Sequence, residues 1–141
     1  MDLQDTVTQT LCLAPIVKNA DTNCTAVNMA GLRDVMFQVS VGASADSLSG
    51  TNKIELELEE STDNSTFTDV ADADTDAAVT GTNTGTFAVI DATDEDDTLY
   101  TVRYLGTQQY VRVVLNFSGT HSTGTPIGVV AIQTGSNYIQ S

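Results

Sequence analysis

The sequence predicts an all-β protein, a single-domain antiparallel β-sandwich or jelly-roll-like barrel with an extended N-terminal arm. Three observations carry this prediction. Ile54, Leu56 and Leu58 alternate with Glu55, Glu57 and Glu59, the period of a strand with one face in a core and the other in water. The composition is rich in Thr, Ser, Asn, Gly and Val, with only 17% charged residues against a typical ~25%. No Ala/Leu/Glu/Lys stretch at helical spacing is long enough for a crossover between parallel strands. At 141 residues the chain makes one domain, able to bury roughly two-thirds of its unfolded surface.

Residues 1–30 alternate weakly, through Val7, Leu11 and Leu13, then Pro15 and Ile16, then Val27 and Met29. They read as an arm that either enters a sheet or reaches a neighbour, and deletion of residues 1–17 is expected to leave the sandwich at 31–133 folded. Val35, Phe37, Val39 and Val41 form a clean strand ending at Gly42, followed by a small-residue loop to Gly50. After the strand at 53–60, Ser61, Thr62, Asp63, Asn64 and Ser65 form a turn, since such side chains bond their own backbone. Phe67 and Val70 should then re-enter the core. The stretch 71–85 is the least structured part. Thr86–Asp91 reads as a short strand with Phe87 and Val89 on one face. Tyr100, Val102 and Tyr104 face together, as do Val111, Val113, Leu115 and Phe117, and Gly106 to Gln108 between them fits a tight hairpin. A last strand covers Ile127–Ile132, with a polar tail at 134–141.

Nineteen acids stand against five bases, a net charge of −14. Nucleic acid and anionic membrane surfaces repel such a chain unless a basic patch overrides the sign, and five scattered bases make none. No apolar run approaches the ~18 residues of a membrane span. Residues 1–7 lack a basic region followed by an apolar core, so no export signal is expected. Cys12 and Cys24 are the only cysteines, and without such a signal they are expected to be reduced, structural thiols.

The chemical motifs are thin. Asp72, Asp74 and Asp76 alternate as calcium ligands can, but the sixth and twelfth loop positions hold Ala77 and Asn83 where a helix–loop–helix site needs Gly and Glu. A solvated acidic loop is the reading, here and at Asp91–Asp97. His121, the single histidine, lies in a Gly/Ser/Thr loop and reads as solvated; no nucleophile elbow accompanies it. No enzyme, metal or cofactor is expected. Tyr100 and Tyr104 share the face of Val102 and read as core rather than a sugar platform. Arg103 and Arg112 read as cross-strand partners of carboxylates. Leu11, Leu13, Pro15 and Ile16 are the apolar cluster assigned to contacts between chains, the alternative being that they cover the sandwich edge.

Three segments carry a resemblance: Gly31-Leu32 leading into Val35–Gly42; the run from Leu58 through Glu59-Glu60-Ser61-Thr62-Asp63-Asn64-Ser65-Thr66-Phe67-Thr68-Asp69 to Val70; and Tyr104-Leu105-Gly106 leading into Tyr110-Val111-Arg112-Val113-Val114. Over roughly residues 30–133 this order resembles small structural proteins of tailed bacteriophages, in particular capsid decoration (cement) proteins. The resemblance implies a virion protein on the outer capsid surface, bound to the major capsid protein and to copies of itself as a trimer. A tail or head–tail joining component, or a carbohydrate- or calcium-dependent adhesion module, are the alternatives. The longer loop at 71–85, the acidic loop at 91–97 and the N-terminal arm depart from the family's pattern.

Overall fold

In the computed structural model, which describes residues 7–135, the alternating segments become strands and their apolar positions meet between two antiparallel sheets. The strands are β1 (Val7–Lys18), β2 (Thr22–Asn23), β3 (Val27–Asn28), β4 (Leu32–Val41), β5 (Lys53–Ser61), β6 (Thr68–Asp69), β7 (Thr86–Ile90), β8 (Thr98–Tyr104), β9 (Tyr110–Ser118) and β10 (Thr125–Gly135). One sheet has the order β1-β10-β4-β8; in the other, β9 and β5 form the centre, with β2 and β3 on β9 and β6 and β7 on β5. Phe37, Ile54, Leu56, Leu58, Ile90, Leu115 and Ile127 are fully buried between them. The architecture is therefore the sandwich. Among the described residues no helix is long and apolar enough to cross a membrane.

The arm is part of the sandwich. β1 pairs with β10 from Val7↔Thr134 to Lys18↔Thr125, and Cys12 is buried in the core. Residues 7–18 are thus a strand of the sandwich, on the near side of the boundary drawn at residue 30. Burying Cys12 and half-burying Leu13 fixes the strand to the sheet. Two irregularities, between Leu11 and Leu13 and between Leu13 and Ile16, let this edge strand follow β10 despite Pro15. The first six residues of the arm, and all but Thr134 and Gly135 of the polar tail, lie outside the described residues.

Four local expectations change. β8 pairs β4 and β9 pairs β5, so residues 105–109 cross from one sheet to the other instead of closing a hairpin. Tyr104 organises this corner: its hydroxyl donates to Glu60 Oε1 (2.7 Å) and accepts from the Gln108 N–H (3.0 Å). Phe67 stays half-buried outside the core, its ring 3.8 Å from the Arg112 guanidinium. Within β7, a bulge opposite Leu56 and Glu57 places Ala88 and Ile90 against Leu56 and Ile54, so Val89 turns outward. The acidic side of β5 is also covered, and Glu57 is only 3% exposed.

Loops of a sandwich leave backbone N–H groups without ladder partners, and here carboxylates supply them. Asp21 accepts from the Phe117 N–H (2.7 Å), Asp72 from Gly85 (3.0 Å), Asp76 from Arg103 (2.8 Å), Asp96 from Ser44 (2.8 Å) and Glu95 from Asp91 (2.7 Å). Asp46 takes two, Thr123 (3.0 Å) and Gly124 (2.7 Å). In the 61–66 turn, Asp63 Oδ1 accepts from Ser65 and Thr66, both at 2.9 Å, while Asn64 adopts a left-handed φ of 59°. The Thr66 and Ser65 N–H groups hold the Asp63 carboxyl below the usual carboxylate range. Thr123, then Gly124, do the same for Asp46.

Gly85 lies where two backbone segments approach closely. Its φ is +88°, and a Cβ there would lie 2.7 Å from the Leu58 carbonyl oxygen and 2.9 Å from that of Val70.

Two outcomes are expected. Depressed carboxylate pKa values mean that Asp46 and Asp63 contribute stability fully above the unfolded aspartate value of about 3.9 and lose it as pH falls through their folded values. The urea midpoint should thus drop between about pH 5 and about pH 2.5, and drop less in Asp63→Asn; an equal drop would contradict the role of Asp63. Gly85→Ala should cost at least ~1–3 kcal/mol in urea unfolding, from backbone strain at positive φ; a smaller change would contradict the close approach.

Candidate docking face

The sheet β1-β10-β4-β8 has an outer face, and its residues follow from alternation and register. Leu11 pairs Val130, which pairs Gln38; Ile132 pairs Met36; Gly128 pairs Ser40, which pairs Leu99. These positions alternate with the buried Val35, Phe37, Val39, Val41, Ile127, Val129 and Ala131. The face is therefore apolar along β1 and β10 and at Leu99, whereas Gln38, Ser40, Thr101 and the Arg103–Asp34 pair make the rest of its β4–β8 side polar. Gly128 matters to its shape, because a Cβ there would come 3.1 Å from Pro15 Cγ; its absence lets Pro15 fold over β10.

A shallow groove of about 120 Å³ results, walled by Leu11, Leu13, Pro15, Leu99 and Val130, with Gln38 and Ser40 as its polar contribution. No charged residue lines it. Leu11 is 58% exposed and Leu99 57% exposed, an unusual state for two leucines in one groove. Of the four residues assigned to contacts between chains, Leu11, Leu13 and Pro15 meet here, with Leu13 packed partly against the core. Ile16 does not line the groove; it lies beyond the second irregularity, pairs Ile127 and is 53% exposed. Val17 beside it is also exposed.

Sequence reasoning missed Leu99 and Val130. The available signal was that both are apolar at positions whose neighbours, Tyr100 with Val102 and Val129 with Ala131, already claim the core face.

The two edges of this sheet differ. The β8 edge is covered by the loop after β6: Asp76 accepts the Arg103 N–H, the Leu105 N–H donates to the Asp74 carbonyl (2.7 Å), and Thr75 bridges Tyr104. Along β1, among the described residues, one loop bond covers the outer edge, from the Thr25 N–H to the Cys12 carbonyl (3.0 Å). Exposed strand edges template pairing with other chains unless bulges or proline blunt them, and β1 has both.

The other candidates are engaged elsewhere. The carboxylates of Asp72 and Asp76 are turned to different N–H groups, those of Gly85 just before β7 and of Arg103 on β8. Glu57, Glu59 and Asp69 do converge, with one oxygen each within 4.8 Å of the others. One oxygen of each already has a partner within the protein: the Asn83 amide donates to Glu57 Oε2 and to Asp69 Oδ2 (3.3 Å), and Arg112 binds Glu59 Oε1 at 2.6 and 3.0 Å. Burial, opposed by the Asn83 hydrogen bond and aided by the Asp69 charge, pushes the Glu57 carboxyl upward. Arg112 with Glu59 and Arg103 with Asp34 (3.0 Å) are the cross-strand pairs expected.

Tyr104 is core, and Tyr100 packs partly against it. Cys12 and Cys24 are free, buried thiols, and burial raises them to about 11 and about 12. A thiol so raised is a poor nucleophile. His121 is not solvated: its side chain is 1% exposed, beside the Phe117 ring at 4.9 Å, with Nε2 bonded to the Ser118 carbonyl (2.8 Å).

No family model matches the chain, and no curated protein matches it. Among solved structures the chain is similar to one from the work described as "Bacillus endospore appendages form a novel family of disulfide-linked pili". The two are 15% identical with a TM-score of 0.44, over 92% of this chain and 88% of that one.

The raised Glu57 carboxyl yields an expectation with a definite sign. Its folded pKa lies above the unfolded value, so the ionised group costs stability at neutral pH and nothing once both states are protonated. Glu57→Gln should raise Tm at pH 7, with the gain shrinking as pH falls toward the carboxylate range. A lower Tm at pH 7 would show that the Asn83 bond outweighs the burial cost.

Proposed function

We propose that the chain is a structural protein of a virion, a capsid decoration protein that docks on the outside of a head shell through the outer face of β1-β10-β4-β8. The observation that carries this reading is the uncharged apolar groove of Leu11, Leu13, Pro15, Leu99 and Val130 on a protein of net charge −14. A surface that avoids its own charges at one place is suited to a partner that removes it from water. The remaining acidic surface keeps the protein soluble and away from packaged nucleic acid.

The physical demands of cementing agree with the architecture. A filled shell is under outward stress, and a stiff two-sheet body spanning neighbouring shell subunits resists it. A stable interface buries about 1,200 Å² or more in total, so the groove is the centre of a contact and not its whole. Ile16 and Val17 extend it along β1. The partner is the major capsid protein, with copies of this chain beside it as a trimer, an arrangement that rests on the phage resemblance.

Because β1 belongs to the sandwich, the test is a surface substitution and not removal of residues 1–17. Burying a leucine side chain contributes about 1.5–3 kcal/mol. Leu11→Asp and Leu99→Asp should therefore each weaken binding to empty phage shells by roughly tenfold or more, as read by co-sedimentation, while Tm stays near that of the parent. Binding unchanged by both substitutions would overturn the docking face. Binding confined to the few positions of a single ring would instead favour a tail or head–tail joining place.

A further inference from the structure

The loops that carry Asp46 and His121 hold a buried polar atom that nothing satisfies. His121 Nε2 lies 2.8 Å from the Ser118 carbonyl oxygen. A carbonyl only accepts, so Nε2 carries the hydrogen. In the neutral ring Nδ1 is then a bare lone pair, and it has no hydrogen-bond partner. It faces a carboxylate, Asp46 Oδ2 at 3.7 Å, with the two side chains 1% and 5% exposed. Two acceptors are thus turned toward each other out of water, an arrangement that a single proton on Nδ1 converts into a charge-assisted pair.

The surroundings say what that pair would hold. Asp46 already accepts the Thr123 and Gly124 N–H groups, so it fixes the loop after β9 to the loop after β4. The Thr125 and Ser44 hydroxyls (2.8 Å) add to the same seam. Gly124, at φ +94°, is pressed against the end of β1: a Cβ there would lie 2.7 Å from Val17 Cγ1 and 2.9 Å from the Lys18 carbonyl oxygen. The loop therefore clamps the strand end that carries Ile16 and Val17.

Other charged groups on the packed elements are Lys18 on β1, Lys53 on β5 opposite Ser118 with its partner Glu55, Asp21, which takes the Phe117 N–H, and Asp96, which takes the Ser44 N–H. Among the described residues, Asp46 is the charged group within 4.0 Å of the ring. Burial opposes the imidazolium; the fixed carboxylate favours it.

We propose that His121 and Asp46 form a proton-operated latch, in which protonation of Nδ1 strengthens the hold of loop 119–124 on the C-terminal end of β1. The proton comes from solvent and no other group changes its bonding. The hold therefore tightens when Nδ1 gains a proton and loosens when it gives that proton up. This reading stands on the loop geometry and holds whatever partner the protein has.

Nitrogen-detected NMR of the full chain tests it directly. At pH 8 the ring should be the neutral Nε2–H tautomer, and at pH 5.5 it should be doubly protonated. Over the same interval, amide exchange at Thr123 and Gly124, corrected for its intrinsic pH dependence, should slow by roughly threefold or more, and should not slow in His121→Gln. A ring that stays neutral at pH 5.5, or a corrected exchange rate that does not change, would overturn the latch. The ring titration of the unsubstituted protein decides the matter even if His121→Gln does not fold.

Discussion

The structure depends on the carboxylate–backbone hydrogen bond. A sandwich of short strands has many loop N–H groups that no ladder can satisfy, and an unsatisfied buried N–H costs free energy comparable to a lost hydrogen bond. This chain meets that need at part-buried positions with Asp46, Asp72, Glu95 and Asp96, and adds exposed bonds of the same kind from Asp21, Asp63 and Asp76. Such charge-assisted bonds are shorter and stronger than neutral ones. The net charge of −14 therefore has a structural origin as well as a colloidal consequence. With five lysines and arginines, the chain satisfies few of its acids by ion pairs and many by its own backbone.

This stapling sets the contrast between the two sides of the molecule. Around β5 the converging acids are tied into a network with Asn83, Arg112 and Phe67. Around β8 the loop after β6 closes the sheet edge through Asp74, Thr75 and Asp76. What stays exposed and uncharged is the groove on the outer face of β1-β10-β4-β8, between Leu11 and Leu99, while the Arg103–Asp34 pair lies elsewhere on the same face. The placement of staples, more than any single apolar residue, decides where a partner can remove hydrophobic surface from water.

Much of the strand architecture was legible because alternation is a local property. Val35 to Val41, Ile54 to Leu58 and Val111 to Leu115 each alternate cleanly and each face the core as their spacing says, with Val114 additionally buried on the outer side. Pairing is not local, and there the sequence misled. Gly106 between two strands looks the same whether the strands form a hairpin or turn a corner between sheets, and the deciding contact is Tyr104 with Glu60, distant in sequence. His121 looked solvated for the same reason, since Asp46 reaches it only through the fold. The apolar cluster on β1 was visible, but its partners Leu99 and Val130 came from strands brought beside it by topology.

The central claim is that this acidic sandwich presents one apolar face to a shell and covers it in many copies. Co-sedimentation of the purified protein with empty phage shells that lack it, with copies per shell counted at saturation, tests that claim most directly. Saturation at a number that scales with the shell's subunits, accompanied by a higher shell melting temperature, is the result the account predicts. No binding, or a handful of copies with no gain in shell stability, would contradict it.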